Sequence, residues 1–234
     1  MFLFYTPVNA DGSITLNGDE LRHAIKTLRK RVGEEIWSTD GSGTRYKSRI
    51  KDIAKESVRL EIIEQEAIER SQPKLHIAIA LTKKSARIEW FLEKATEIGI
   101  YQITPLITAR TEKKAFKKER GNKILIAAMK QSLRSYLPVL SEATHLTDFI
   151  KSGLNSSNDN FVGFYKEDNL QLRDKLCEGK DTTILIGPEG DFTDQEIDLV
   201  SQAGFTSINM GVHRLRTETA GIVACNSFNF VNNG

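Results

Sequence analysis

Two short apolar runs near the end of the chain each stop at a glycine, and each is followed by a turn and a helical pattern. The first is Thr182-Thr183-Ile184-Leu185-Ile186-Gly187-Pro188-Glu189-Gly190. The second is Ser207-Ile208-Asn209-Met210-Gly211, continued by Val212-His213-Arg214-Leu215-Arg216-Thr217-Glu218-Thr219-Ala220. A strand that ends at glycine can turn sharply, and its bare backbone leaves amides and carbonyls open to a ligand. Two such ends side by side at the carboxyl edge of a sheet form a crevice suited to a small molecule.

Upstream of these runs the chain changes character once. Residues 1–72 read as mostly β: strands at Phe2–Val8, Ser13–Leu16, Glu35–Ser38, Arg45–Ile53 and Ser57–Ile63, with a turn at Asn9-Ala10-Asp11-Gly12. One helix, Asp19–Leu28, carries Leu21, Ala24, Ile25 and Leu28 on one face. Asp40-Gly41-Ser42-Gly43 is a hairpin signal. Short strands on so small a scaffold suggest a barrel. Glu64–Lys74 is polar, holds Pro73 and reads as a linker.

From residue 73 onward strands and helices alternate, the pattern of a parallel sheet covered on both faces. The strands are Leu75–Leu81, Gln102–Thr108, Phe161–Tyr165, Thr183–Ile186 and Ser207–Met210. A helical pattern (Ile88, Phe91, Leu92, Ala95, Ile98) stops at Gly99, and further helices are expected at Glu119–Ser135, Leu170–Cys177 and Glu218–Val231. Thr193 and Glu196 have capping-box spacing for a helix ending near Ala203-Gly204. Ser152–Asn160 reads as a loop. The organisation is therefore a domain at 1–72 and a larger α/β domain at 73–234.

The net charge of +2 hides a strong gradient. Residues 1–72 carry 12 Lys+Arg against 12 Asp+Glu, residues 73–140 carry 14 against 5, and residues 141–234 carry 7 against 14. A local excess of +9 fits either a solvated helix face or a polyanionic partner, and the crevice downstream favours nucleic acid. No apolar run is long enough to span a bilayer, and Met1–Pro7 lacks the regions of a signal peptide, so a soluble cytoplasmic protein is expected. Cys177 and Cys225 are too isolated for a disulfide framework or a zinc cage, and no metal is expected.

Alone, Gly187-Pro188-Glu189-Gly190 fits a plain turn. The second loop is harder to dismiss, because Arg214 and Arg216 crowd a helix N-terminus, where cations oppose the dipole unless an anion is present. The glycine-rich patterns of phosphate and dinucleotide loops are absent.

Ile184–Phe192, Met210-Gly211 and Leu215-Arg216-Thr217-Glu218-Thr219-Ala220 together resemble the ribosomal small-subunit RNA (uracil-N3)-methyltransferases, knotted enzymes of the SPOUT class. The likeness runs over nearly the whole chain. His23, Leu28-Arg29, Gly33 and Asp40–Gly43 match the family's PUA-like barrel. Lys94–Gly99, Ile103-Thr104-Pro105, Gln131-Ser132, Arg134 and Pro138 match its middle segment. Asp191 stands where the family usually repeats glycine, and Lys130 where it often has an acid.

The resemblance implies an α/β SPOUT-type parallel sheet with a C-terminal trefoil knot and a small N-terminal PUA-like β-barrel. It implies S-adenosyl-L-methionine as cofactor, held by Tyr165, Leu185, Ile186, Gly187, Pro188, Glu189, Gly190, Met210, Gly211, Leu215, Arg216 and Thr219. It implies methylation of a uridine N3 in 16S ribosomal RNA or the small ribosomal subunit, by a homodimer. Deprotonating N3 spreads negative charge to the ring oxygens, so a cation and a base near the methyl both help. Arg216 is expected as the cation, with Glu218 or Glu189 as base or orienting group; a structural Arg216–glutamate pair is the alternative. Arg22, Lys26, Arg29, Lys30, Arg110 and Arg134 are expected phosphate contacts. A SPOUT enzyme acting on a ribose hydroxyl or another base, and a non-catalytic ribosome-assembly factor, remain open.

Overall fold

The computed structural model describes residues 2–9, 12–70, 72–152, 158–166 and 170–233. The expected turn at Ala10-Asp11 and the centre of the expected loop, 153–157, lie outside the described residues. The chain divides into two compact units, Met1–Arg70 with Ile126–Leu137, and Ser71–Leu125 with Pro138–Gly234.

In the first unit, β1 (Leu3–Tyr5), β2 (Ile14–Leu16), β3 (Glu35–Thr39), β4 (Thr44–Ile53) and β5 (Val58–Ala67) form a sheet of order β1-β3-β4-β5-β2. β1 pairs with β3 in parallel and the remaining pairs are antiparallel. Thr6 Oγ1, just beyond β1, donates to Thr15 O of β2 at 3.0 Å, so a side chain bridges the two edges of the sheet. Phe4, Ile14, Leu16, Ile36, Ile50 and Val58 fill the interior. The helix expected over Asp19–Leu28 is an α-helix, α1, only at Gly18–Arg22, and continues as a π-helical turn over His23–Thr27.

Two features of this unit depart from the sequence reading. β5 runs to Ala67, where a linker was expected, because its polar second half pairs with β4 away from the core. Residues 126–137 also join it, although the sequence places them in the second domain. Gly43 N donates to Ser135 O at 3.0 Å, Arg45 Nε to Ser135 Oγ at 2.7 Å, and Tyr136 Oη to Ile68 O at 2.8 Å. Gly43 has φ 108°, and a Cβ there would stand 2.2 Å from Tyr136 Oη, so both conformation and space require glycine.

The second unit is built on β6 (Leu75–Ala80), β7 (Gln102–Ile107), β8 (Val139–Leu140), β9 (Thr144–His145), β10 (Asp159–Gly163), β11 (Leu170–Gln171), β12 (Thr182–Ile186) and β13 (Thr206–Asn209). The order is β11-β13-β10-β12-β6-β7-β8, with β9 also on β7, and every pair is parallel. The helices are α2 (Ser85–Ile98), α3 (Lys118–Gln131, whose end belongs to the first unit), α4 (Leu146–Lys151), α5 (Asp194–Gln202) and α6 (Thr217–Asn233).

One face of the sheet carries α4 and α5, through Leu146, Phe149 and Val200 packed on Ala78, Val162 and Leu185. α6 packs on α2 and β6. A Cβ on Gly221 of α6 would lie 2.5 Å from Phe91 Cε2 of α2 and 3.1 Å from Ile79 Cδ1 of β6. The helix is therefore seated as closely as its backbone allows.

The structure corrects two expected elements and adds others where none was expected. Leu170–Cys177 is not a helix: Leu170–Gln171 pairs with β13 and a single 3-10 turn follows at Leu172–Asp174. α3 stops at Gln131, because Leu133 turns to φ 56°. Residues 139–151, left without structure by the sequence, hold two short strands and α4.

Candidate active site

β10 lies between β12 and β13, and their carboxyl ends coincide: Gly163 pairs with Ile186 on one side and Ile208 on the other. The loops leaving this edge, with 164–166, 187–193 and 210–216, enclose a cavity of about 290 Å³. Ile186, Ile208, Met210 and Leu215 give it apolar walls. A Cβ on Gly163 would stand 2.7 Å from Met210 Cε, so glycine there leaves room for that side chain.

Side chains from neighbouring elements fix the loop backbones. Thr217 Oγ1, at the start of α6, donates to Gly187 O at 3.0 Å, and Arg214 Nη2 donates to Glu189 O at 3.1 Å. Arg110, beyond β7, donates to Gly190 O at 2.7 Å and Phe192 O at 3.2 Å. The buried Asn209 amide bridges to the third loop, donating to Lys166 O at 2.6 Å and accepting from Lys166 N at 3.1 Å. Tyr165 Oη donates to Val212 O at 3.3 Å, and Gly211 N to Gln171 Oε1 at 3.1 Å. A crevice held this way is preorganised, with ordering cost met in folding rather than in binding.

Asp191 sits at the crevice edge with φ 64°, a conformation that aspartate tolerates better than most residues. Its Oδ1 accepts from Phe192 N at 2.8 Å. Burial pushes its carboxyl pKa up, against that hydrogen bond and the Arg214 and Arg110 charges. The left-handed backbone is one that glycine would also adopt without strain.

Of the residues expected to hold a cofactor, Tyr165, Ile186, Gly187, Pro188, Glu189, Met210, Leu215 and Arg216 line the cavity. Leu185, Gly190, Gly211 and Thr219 do not. Leu185 points into the core beneath α4 and α5, and Gly190 lies under the Arg110 stem. The sequence reading missed Ile208, Asn209, Thr217 and Ala220, together with Gly163. Phe161-Val162-Gly163 is a third strand ended by glycine, and that signal was available.

The glutamates are joined by a residue given no role from sequence. Arg87 of α2 places Nη1 3.1 Å from Glu189 Oε1 and Nε 3.6 Å from Glu218 Oε1. Lys83 N also donates to Glu189 Oε1, at 3.3 Å. Glu218 is 8% exposed and does not line the cavity, and its Oε2 has no hydrogen-bond partner among the described residues. Arg216 lines the cavity, is exposed, and makes no ion pair among the described residues. The Arg216–glutamate pair considered above is thus replaced by Arg87 pairs.

The expected RNA-contacting cations divide by their partners. Arg22 pairs with Asp19, and Lys30 Nζ donates to Glu34 Oε1 at 3.2 Å. Lys26 and Arg29 are exposed and carry no ion pair among the described residues. Arg110 braces the Gly190 loop. Arg134 is half-buried in the first unit, which lowers its pKa. Among the described residues no helix is long and apolar enough to cross a membrane.

The RNA methyltransferase domain family matches residues 69–229, and the RNA methyltransferase PUA domain family matches residues 16–63. Fold and crevice thus define an RNA methyltransferase domain joined to a PUA domain. Ribosomal RNA small subunit methyltransferase E of Rickettsia conorii is 32% identical over 221 residues, covering 92% of this chain and 88% of its own. A probable rRNA-methyltransferase from Porphyromonas gingivalis superposes with TM-score 0.92 at 34% identity, covering 99% and 98% of the two chains. Ribosomal RNA small subunit methyltransferase E from Neisseria gonorrhoeae, solved bound to S-adenosyl methionine, superposes with TM-score 0.86 at 26% identity, covering 99% and 98%. The chain belongs to the ribosomal RNA small subunit methyltransferase E family, with its SPOUT-type parallel sheet and PUA domain.

Proposed function

We propose that the protein transfers the methyl group of S-adenosyl-L-methionine to N3 of a uridine in 16S ribosomal RNA. The observation that carries this reading is the crevice at the ends of β10, β12 and β13, with apolar walls, main-chain rims and one uncommitted arginine. Its donor set fits the cofactor: apolar side chains for an adenine face, glycine-turn backbone for its edges, and the acids Glu189 and Asp191 to set against Arg214 and Arg216 near a sulfonium. Tyr165, Ile186, Gly187, Pro188, Met210 and Leu215 would hold it, and bound there it supplies an already activated methyl group.

The protein then has to align the uridine, exclude water and manage one proton. Arg216 faces the crevice without a competing carboxylate, so its charge is available to the ring oxygens as N3 loses its proton. Glu189 presents its carboxylate in the lining and is the better placed proton acceptor. Glu218 acts through Arg87, which spans both acids and fixes the Glu189 rotamer. Lys26 and Arg29 offer phosphate contacts from the first unit.

The same reading includes a knot and a homodimer. The start of α6 and the 210–216 loop are tied to the 187–193 loop by Thr217 to Gly187 and Arg214 to Glu189, which supports a knot at that point. α2 and α6 expose Trp90 and Phe230, at 44% and 77%, as apolar anchors for a second copy. Sedimentation should give a dimer at micromolar concentration; a monomer throughout rejects that part.

Labelled methyl transfer into small subunits lacking the modification, followed by nucleoside mapping, tests the activity. Label in 3-methyluridine is expected. Label in a ribose or another base selects the related SPOUT reaction, and cofactor binding without transfer selects an assembly factor.

A further inference from the structure

The second unit contains another cavity, of about 280 Å³, and no residue of its lining belongs to the crevice. It lies between the end of β6, the first turns of α2, the 111–117 segment and the start of α3. Leu81, Ile88, Leu92 and Phe116 form an apolar wall, and Lys113, Lys117 and Arg120 stand along the rim. The aromatic ring is seated by design of the helix beneath it: a Cβ on Gly121 would come within 3.0 Å of Phe116 Cζ.

The rim cations have different commitments. Arg120 forms a fork on Glu89 at 2.6 and 2.8 Å, and Lys113 Nζ donates to Ser85 Oγ at 2.6 Å. Lys117 makes no ion pair among the described residues, and Lys117, Arg120 and Lys123 continue the positive surface outward. Glu89, the one acid of the lining, is occupied by Arg120, so the mouth offers charge to an anion.

One stretch of chain, 83–89, borders both sites. Lys83 and Arg87 hold Glu189 on the crevice side, while Ser85, Ile88 and Glu89 of the same stretch face the second cavity. A strand of RNA crossing that stretch would reach both.

We propose that the cavity receives an unstacked base of the RNA, from a nucleotide neighbouring the reacting uridine. Phe116 and the aliphatic wall cover the base face, and Lys117, with Lys113, meets the adjoining phosphates. An apolar and aromatic platform flanked by cations is how single-stranded nucleic acid is held without a sequence code. A basic peptide would find the acid of the lining already paired and a rim of cations. The proposal rests on the reading that RNA is the substrate.

Replacing Phe116 by the photoreactive residue p-benzoylphenylalanine and irradiating with unmodified small subunits tests it. A crosslink to a nucleotide within one or two positions of the methylated uridine is expected. A crosslink to a ribosomal protein or to a distant nucleotide overturns the proposal, as does no crosslink from a variant that still methylates. Phe116→Leu, which keeps the packing, should raise KM for the subunit about tenfold, the scale of losing one base–aromatic stack. Its cofactor affinity by calorimetry should match wild type; an unchanged KM also overturns the proposal. If wild type leaves the subunits unmethylated, the functional reading fails by itself. RNA crosslinked at position 116 would then still support a base-binding cavity, and its absence would reject both.

Discussion

The crevice and the Phe116 cavity have nearly equal volumes, about 290 and 280 Å³, but they are built from different materials. The crevice is lined by main chain that side chains such as Asn209, Thr217 and Arg110 tie in place. The Phe116 cavity is lined by side chains, and its cations stand at the rim. Fixed backbone suits a ligand of constant shape, whereas an apolar wall rimmed by cations suits any base on a charged strand. Removing a charge should therefore act on chemistry in the crevice and on RNA affinity at the other cavity.

Arg216→Ala should give the largest effect. Loss of one charge-stabilising donor typically costs about 10²–10³ in rate, so kcat should fall by that factor with cofactor affinity nearly unchanged. Single-turnover methyl transfer with saturating RNA measures it. A change confined to KM for RNA would make Arg216 another rim cation and dissolve the distinction.

Acid should weaken both cavities together, which separates a global effect from a local one. His76 of β6 is half-buried against Phe149, with Nε2 2.8 Å from Thr104 Oγ1. Burial pulls its pKa down from 6.5 to about 4. The unfolded chain therefore binds the proton first, so this contribution is complete above pH 6.5 and is lost as pH falls toward 4. The slope is up to about 1.4 kcal/mol per pH unit in that window. Denaturant unfolding of His76→Gln should show a shallower acid slope; an identical slope assigns acid sensitivity to other groups.

How much of this was legible in the sequence depended on how local each signal was. The α5 capping box needs only Thr193 and Glu196, and both hydrogen bonds are present, at 3.2 and 2.9 Å. The crevice edge was legible because glycines end the strands. The side on which Leu185 falls was not, since every residue of β12 is buried and no polar alternation marks a face. Arg87 was hidden by distance along the chain, 102 residues from Glu189, where no spacing rule applies. Leu172 and Leu176 have helical spacing, but pairing of Leu170-Gln171 with β13 overrode it. The Phe116 cavity combines four separate segments, and the sequence showed only their positive charge.

Asn209→Ala tests the main-chain side of the comparison at smaller scale. It removes both bonds to Lys166 while leaving every crevice-lining charge in place, and bonds of this kind contribute about 1 kcal/mol each. Cofactor affinity by calorimetry should fall roughly tenfold, and RNA affinity should not change. An unchanged cofactor affinity means that the loops hold their shape without the bridge.

Lys117→Ala should give the smallest effect and the most specific one. A phosphate contact on a single strand contributes about 0.7 to the slope of log K against log salt. The variant should bind RNA only a few-fold more weakly, with the slope reduced by about that amount and cofactor affinity intact. Asn209→Ala should leave the slope alone, because it changes no charge. The pair of slopes decides whether the two cavities have separate duties: a reduced slope in Lys117→Ala alone keeps the division, and a reduced slope in both places the phosphates along the crevice loops instead.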